Sequence, residues 1–292
     1  MSGLVKIFDR TAVRRHRDRA AARLGDHDFL IREVAARLNE RLGDIRREFS
    51  VALDLGSAAP DAGLVVRADQ SSAMIAGGPG PGVALDEEWL PFAENSLDLV
   101  TSLLTLHWVN DLPGALTQIR RSLRPDGLFM AAMFGAETLI ELRVALAQAE
   151  SNLEGGVSPR LSPTVDLQDM GALLQRAGFA LPVVDLDTIT VTYPDAFALM
   201  HDLRGMGETN ALNQRRKRFT RRATLMAAAA AYREQFANPD GRLPATFQII
   251  WLTAWAPHES QQQALRPGSA KSRLADALDS REQPAGDKAR PK

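Results

Sequence analysis

The stretch VALDLGSAAPDAGLVVRAD, residues 51–69, decides how the whole chain is read. It opens as a short apolar strand stopped by a glycine, Gly56, and it ends as a second apolar run that delivers Asp69. Two such runs in close succession are the start of a parallel sheet, provided the chain between them can return along the first strand. If residues 64–68 form the second strand, seven residues, 57–63, remain for that return. A crossover containing a helix needs at least ~10 to 12 residues, whereas seven extended residues reach about 23 Å, enough to run back along a short strand. The connection is therefore expected without a helix.

Downstream, the same alternation continues. GVALDEE is a third run ending in acid, at Asp86, Glu87 and Glu88, and LDLVTSLLTLHWV is a fourth, leading through Ser102 and Leu103 to His107. The helical DLPGALTQIRRSLRPDG follows, with Pro125 and Gly127 as its stop, and then the apolar LFMAAMFG. Upstream, Leu30, Ile31, Val34, Leu38, Leu42 and Ile45 recur at threes and fours, one face of a helix that precedes the first strand. Beyond Gly135, ETLIELRVALAQAE and DLQDMGALLQRAGF have helical spacing, the second closed by Gly178. LPVVDLDTITVTY and PATFQIIWLTAWAP are rich in β-branched and aromatic residues and read as strands. Between those strands, residues 194–242 are dominated by Ala, Arg, Leu and Met, a helical composition too long for a hairpin loop. The pattern predicts an α/β, doubly wound, mostly parallel seven-stranded sheet with a helical insertion between its last two strands. The expected divisions are an N-terminal helical segment (1–50), a core (51–193), the insertion (194–243), the last core strand (244–259) and a disordered polar tail (260–292) with a short helix around Leu274.

Composition narrows the chemistry. With no cysteine among 292 residues, a Cys nucleophile, thiolate zinc, disulfides and Cys-held iron–sulfur clusters are excluded. A formal charge of −1 gives no bulk attraction to nucleic acid or to an anionic membrane. No apolar run reaches the ~18 residues of a membrane span. The basic N-terminus lacks the apolar core of a secretory signal, and Asp9 and Asp18 argue against a transit peptide, so the chain reads as cytoplasmic.

In open α/β sheets ligands bind beyond the carboxyl ends of the strands. Three successive strands ending in acid can there accept the hydroxyls of a ribose, an exocyclic adenine amine and an amino group, a set suited to a nucleoside with a cationic amino-acid arm. It suits a pyrophosphate poorly, because no Lys, Arg or Gly-rich cradle faces it.

VALDLG, RADQSSAM and the long run from LDEEWLPF to AAMFG resemble the successive motifs of class I S-adenosylmethionine-dependent methyltransferases. ETLIELRVALAQAE, YPDAFALMHDLRGMGETNA, PATFQIIWLTAWAPHESQ and RPGSA are similar to a methyltransferase-fold assembly factor of respiratory complex I and its bacterial relatives. The resemblance covers almost the whole chain. It implies S-adenosyl-L-methionine as cofactor, with Asp54 and Gly56 beside its methionine part, Asp69 at the ribose, Asp86 at the adenine, and Ser102 and Leu103 on the floor. Members usually continue DLG with further glycines and a helix; SAAPDAG has neither, which removes charge-assisted hydrogen bonds worth ~1.5 to 3 kcal/mol each.

For chemistry, His107 is the candidate base; its bland alternative is an aromatic neighbour packed on Trp108. Glu137, Thr138 and Arg143 are candidates for the acceptor side, and GMGETN, residues 205–210, for shaping it. The assembly factor is associated with arginine hydroxylation, and a non-haem iron site needs two His and a carboxylate. HRD at His16 stands in an Arg-dense helical stretch, and His27, His201 and His258 are scattered, so no metal site is nominated. RRKRFTRR, residues 215–222, has six cations in eight residues and reads as a solvated helix face. Three functions remain open: methylation of a protein or carrier-bound substrate, including carboxyl methylation of a malonyl carrier as in biotin-synthesis relatives; arginine hydroxylation in respiratory-complex assembly; and a non-catalytic assembly protein with a cut-down cofactor loop. The partner implied is a protein, a respiratory complex I subunit among the candidates, with no nucleic acid; a peripheral membrane contact stays open.

Overall fold

The computed structural model describes residues 6–56, 60, 62–76, 78–160, 167–262 and 280. Most of the abbreviated loop (57–59 and 61), the expected tail helix around Leu274 and the RPGSA motif fall outside the described residues. All named elements lie within one compact unit, Met1–His258.

Seven strands form one sheet: β1 Val51–Leu55, β2 Leu64–Asp69, β3 Gly82–Ala84, β4 Leu97–Leu103, β5 Leu123–Phe134, β6 Ala180–Tyr193 and β7 Leu243–Trp255. Their order across the sheet is β3-β2-β1-β4-β5-β7-β6. The first five pair in parallel, while β7 runs antiparallel to both β5 and β6. The winding reverses between β1 and β4, which places the crevice at their carboxyl ends.

Among the described residues eight α-helices accompany the sheet: α1 Arg10–Ala21, α2 Phe29–Gly43, α3 Ser72–Ile75, α4 Leu112–Ser122, α5 Ile140–Glu154, α6 Leu167–Arg176, α7 Ala196–Met206 and α8 Arg222–Phe236. The period-two alternation of the strands sorts their side chains onto two faces. Phe247, Ile249 and Trp251 of β7 join a core with α2, α5, α7 and α8, whereas Ile250, Leu252 and Ala254 join a second core with α4 and α6. On α2 the buried residues are Leu30, Val34, Leu38 and Leu42, the face the spacing predicts.

Two expectations need correction. The helix after β4 stops at Ser122, and β5 begins at Leu123 and runs through Pro125 and Gly127, which were expected to mark the helix's end. Pro125 restricts the preceding backbone to extended conformations, so the turn is made earlier. The cationic run 215–222 is not a helix face: α7 ends at Met206 and α8 starts only at Arg222. Like charges three and four apart oppose helix there. Instead, Arg215 bonds Asp9 at 2.9 Å and Arg216 pairs with Glu154, pinning the base of an irregular segment whose Phe219 is fully exposed.

Candidate functional site

Gly56, at the end of β1, has φ +92°, and a Cβ there would overlap the Leu103 carbonyl of β4. Only glycine accepts both conditions. Asp54 is buried and accepts a hydrogen bond from Thr101 Oγ1 at 3.0 Å, so it faces inward toward β4. Ser102 is buried with its hydroxyl 2.9 Å from that of Thr105, and Leu103 is buried as well. These four residues lie packed together at the carboxyl ends of β1 and β4.

The acids of β2 and the segment after β3 are held from above. Asp69 is paired across the ladder with Ala84, and both of its oxygens accept from Arg17 Nε at 3.0 Å, with a further bond from Arg17 Nη2 to Oδ2. The Ser71 N–H donates to Asp69 Oδ1 at 2.8 Å. One helix face earlier, Arg10 Nη2 donates to Asp86 at 2.7 Å and also to Glu87, while its Nη1 donates to the Trp108 carbonyl at 3.0 Å. Seven residues are two turns, so Arg10 and Arg17 project from the same side of α1 onto neighbouring strand ends. Burial disfavours the charge on each arginine, but the facing carboxylates outweigh it and hold both guanidinium pKa values up. Burial pushes the Glu87 carboxyl up, with Arg10 opposing. Asp18 of α1 completes the contact by accepting from Ser71 Oγ at 2.6 Å. Gln70 and Asp86 line a cavity at this edge together with Arg10 and Arg14.

A second, more apolar cavity lies beyond β4 and β5. Its walls include His107, Phe134, Thr138, Arg143, Glu208 and Phe247, and it encloses about 560 Å³ including its mouth. His107 sits in the 3-10 turn Leu106–Trp108 and is buried. Its Nε2 lies 3.1 Å from Glu208 Oε2, which also accepts from Trp108 Nε1 at 3.1 Å; its Nδ1 has no hydrogen-bond partner among the described residues. The ring also packs on Trp108 and Phe134, at 5.1 and 4.8 Å between centroids, so the packing role and the polar pairing coexist. Arg143 Nε is buried and has no hydrogen-bond partner among the described residues, whereas Arg160, at the same cavity, is neutralised by the buried Glu150. A buried N–H left without an acceptor is costly unless a ligand oxygen meets it. Glu137 turns aside to Gln248 at 3.3 Å and is not among the walls.

Three features escaped sequence reading. Glu208 lies in GMGETN, 101 residues from His107, with no local signal for the pairing. The Arg10/Arg17 clamp was hidden in an arginine-rich helix, where only the seven-residue spacing could have marked it. The histidines expected to be scattered are not all so: His27 and His201 lie 5.0 Å apart between ring centroids, with Asp202 beside them. His16 belongs to α1, as expected, and is not in that group.

Residues 52–131 match the Methyltransferase domain family. The chain is 45% identical over 282 residues to "Arginine-hydroxylase NDUFAF5, mitochondrial" of Homo sapiens, covering 91% of this chain and 81% of that one. It is 38% identical over 272 residues to "Malonyl-[acyl-carrier protein] O-methyltransferase" of Xylella fastidiosa, covering 86% and 89%. Among solved structures, the YcgJ protein of Bacillus subtilis superposes with a TM-score of 0.50 at 16% identity, over 77% of this chain and 98% of that chain. The methyltransferase-domain family that includes NDUFAF5 and the malonyl-carrier O-methyltransferases is therefore the family to which this chain belongs.

Proposed function

We propose that the chain is an S-adenosylmethionine-dependent methyltransferase of the cytoplasm, acting on a protein or carrier-bound substrate whose acceptor group enters the His107 cavity. The observation that carries this reading is the pairing of β2 with β3, which sets Asp69 and Asp86 at the carboxyl ends of adjacent strands, with His107 just beyond the carboxyl end of β4 in the same sheet. The residues fit the cofactor by chemistry. Asp69 would accept the ribose hydroxyls and Asp86 the adenine amine; Asp54 and Gly56 would flank the methionine part, over Ser102 and Leu103. Because Arg17 holds Asp69 and Arg10 holds Asp86, the ribose and the adenine amine must share or displace those guanidinium groups.

When bound, the cofactor supplies an electrophilic sulfonium methyl group. The chain's part is to position and to move a proton. Arg143 would orient an anionic acceptor, Phe134 and Phe247 would keep water out, and His107, its ring held through Nε2 by Glu208, would take a proton at Nδ1 from an acceptor that carries one. A carboxylate acceptor needs no base, and the relative from Xylella is named for O-methylation of a malonyl carrier. The human relative is named for arginine hydroxylation, and the unpaired Nδ1 of His107 does not favour that reaction over methyl transfer. A subunit of respiratory complex I is the protein acceptor implied by the resemblance.

Calorimetric titration of the full chain with S-adenosylmethionine tests the reading: micromolar binding that Asp69→Ala abolishes is expected. Absent binding would overturn it and leave a non-catalytic assembly protein. Mass spectrometry of the acceptor then separates an added methyl group from an added oxygen.

A further inference from the structure

We infer that His27, His201 and Asp202 form a site for one divalent transition-metal ion whose remaining coordination positions open onto an arginine-lined cleft that takes an anionic ligand of the carboxylate class. The inference is independent of the methyltransferase reading. It starts from chain geometry: His27 follows the 3-10 turn Leu24–Asp26, its N–H bonded to the Leu24 carbonyl at 2.8 Å, whereas His201 and Asp202 are consecutive residues of α7. One donor atom from each of the three lies within 4.8 Å of the other two. Metal bonds of about 2.0–2.2 Å place donor atoms roughly 3–4 Å apart, so a small rotation of the exposed His201 closes the set.

The other two already touch and need part only slightly to admit the ion. His27 is buried, with Nδ1 2.7 Å from Asp202 Oδ1, and its ring rests against α7 at Gly205, where a Cβ would overlap it. A glycine at this point lets a side chain from another segment reach the helix backbone.

The surrounding charges decide what completes the site. His27 and His201 line a cleft with Arg19, Arg23 and Arg204. Arg23 pairs with Asp26 at 3.5 Å, whereas among the described residues Arg19 reaches only the Thr209 hydroxyl, at 3.3 Å. Burial and the neighbouring Arg204 lower the pKa of Arg19, the mark of two guanidiniums near one another. Such neighbours oppose a bare dication, whereas an anion lying between metal and arginines satisfies both. Two His and one carboxylate leave open positions for that anion and suit Fe(II), Co(II) or Zn(II).

The test uses the full chain, titrated with Co(II) while visible absorption is followed, and with Zn(II) by calorimetry. One equivalent is expected to bind with micromolar affinity. His201→Ala, at an exposed position, should weaken binding by roughly 10–100-fold or more, with an unchanged melting temperature; His258→Ala should bind as the parent does. Acetate or a 2-oxo acid should alter the Co(II) spectrum of the parent and not that of Arg204→Ala. Binding only at millimolar metal, or equal affinity in His201→Ala, would overturn the metal site. Full metal affinity with a spectrum blind to carboxylates would overturn its anionic half.

Discussion

Arg17 and Asp69 face one another across the crevice, with the Nε of the arginine 3.0 Å from both oxygens of the acid. Asp69 is 5% exposed, so the pair is largely desolvated. Breaking a buried pair by removing one partner costs about 3–5 kcal/mol, because the remaining charge stays in a poor solvent. Arg17→Ala is therefore expected to lower stability in the absence of ligand by that order. Ribose hydroxyls can supply the donors that Arg17 no longer provides. The rise in melting temperature on adding S-adenosylhomocysteine should accordingly be larger in Arg17→Ala than in the parent. Equal shifts in the two proteins would show that arginine and nucleoside do not compete for Asp69.

Arg143 has the opposite balance, since its Nε is buried beside a cavity walled by Phe134 and Phe247 and has no hydrogen-bond partner among the described residues. Its replacement by Met should leave denaturant stability unchanged or slightly improved. If it grips an anionic acceptor, the lost charge-assisted bonds, at ~1.5 to 3 kcal/mol each, should lower kcat/KM by roughly ten- to several-hundred-fold. Cofactor affinity measured by calorimetry should not move. A variant that loses stability instead would mark Arg143 as a structural cation.

Much of this arrangement was legible in the linear text because parallel strands are continuous apolar runs, and their last residues are read directly. The acids at 54, 69 and 86, the glycine at 56 and the helical face of α2 all follow from local period and punctuation. What satisfies those acids was not legible. Arg17 lies 52 residues before Asp69, and an arginine-rich helix looks the same in sequence whether it is solvated or clamped. The His107–Glu208 and His27–Asp202 pairs span 101 and 175 residues, and both depend on how α7 and the segment after it fold back over the sheet. The run 215–222 misled for a related reason: composition gave propensity, while ion pairs to Asp9 and Glu154 decided the conformation.

His16, on α1, gives the stability of the fold a pH dependence. Burial lowers its pKa below 6.5, and the neighbouring Arg19 charge acts in the same direction. The folded protein thus binds this proton less readily than the unfolded chain. The contribution is fully present above the unfolded pKa and is lost as pH falls from 6.5 toward the depressed folded value. Urea midpoints measured from pH 7.5 down to 5 should fall, and His16→Gln should flatten that slope. An identical slope in the variant would assign the acid sensitivity to other groups.

Gly56 permits the last prediction to be sharp, because two separate penalties meet at one atom. Its φ of +92° is strained for any L side chain, and an added Cβ would press into the backbone carbonyl of Leu103, which β4 cannot readily move. Strained backbone costs ~1–3 kcal/mol and overpacking a similar amount, so Gly56→Ala should destabilise by about 2–5 kcal/mol. Gly43→Ala, at the end of α2 with nothing within 4 Å of the new methyl group, should be neutral or mildly stabilising. Urea denaturation of the two variants measures the difference. A neutral Gly56→Ala would mean that β1 and β4 can part at their carboxyl ends, and the crevice floor would then be adjustable where the tight packing of Gly56 on Leu103 requires it to be rigid.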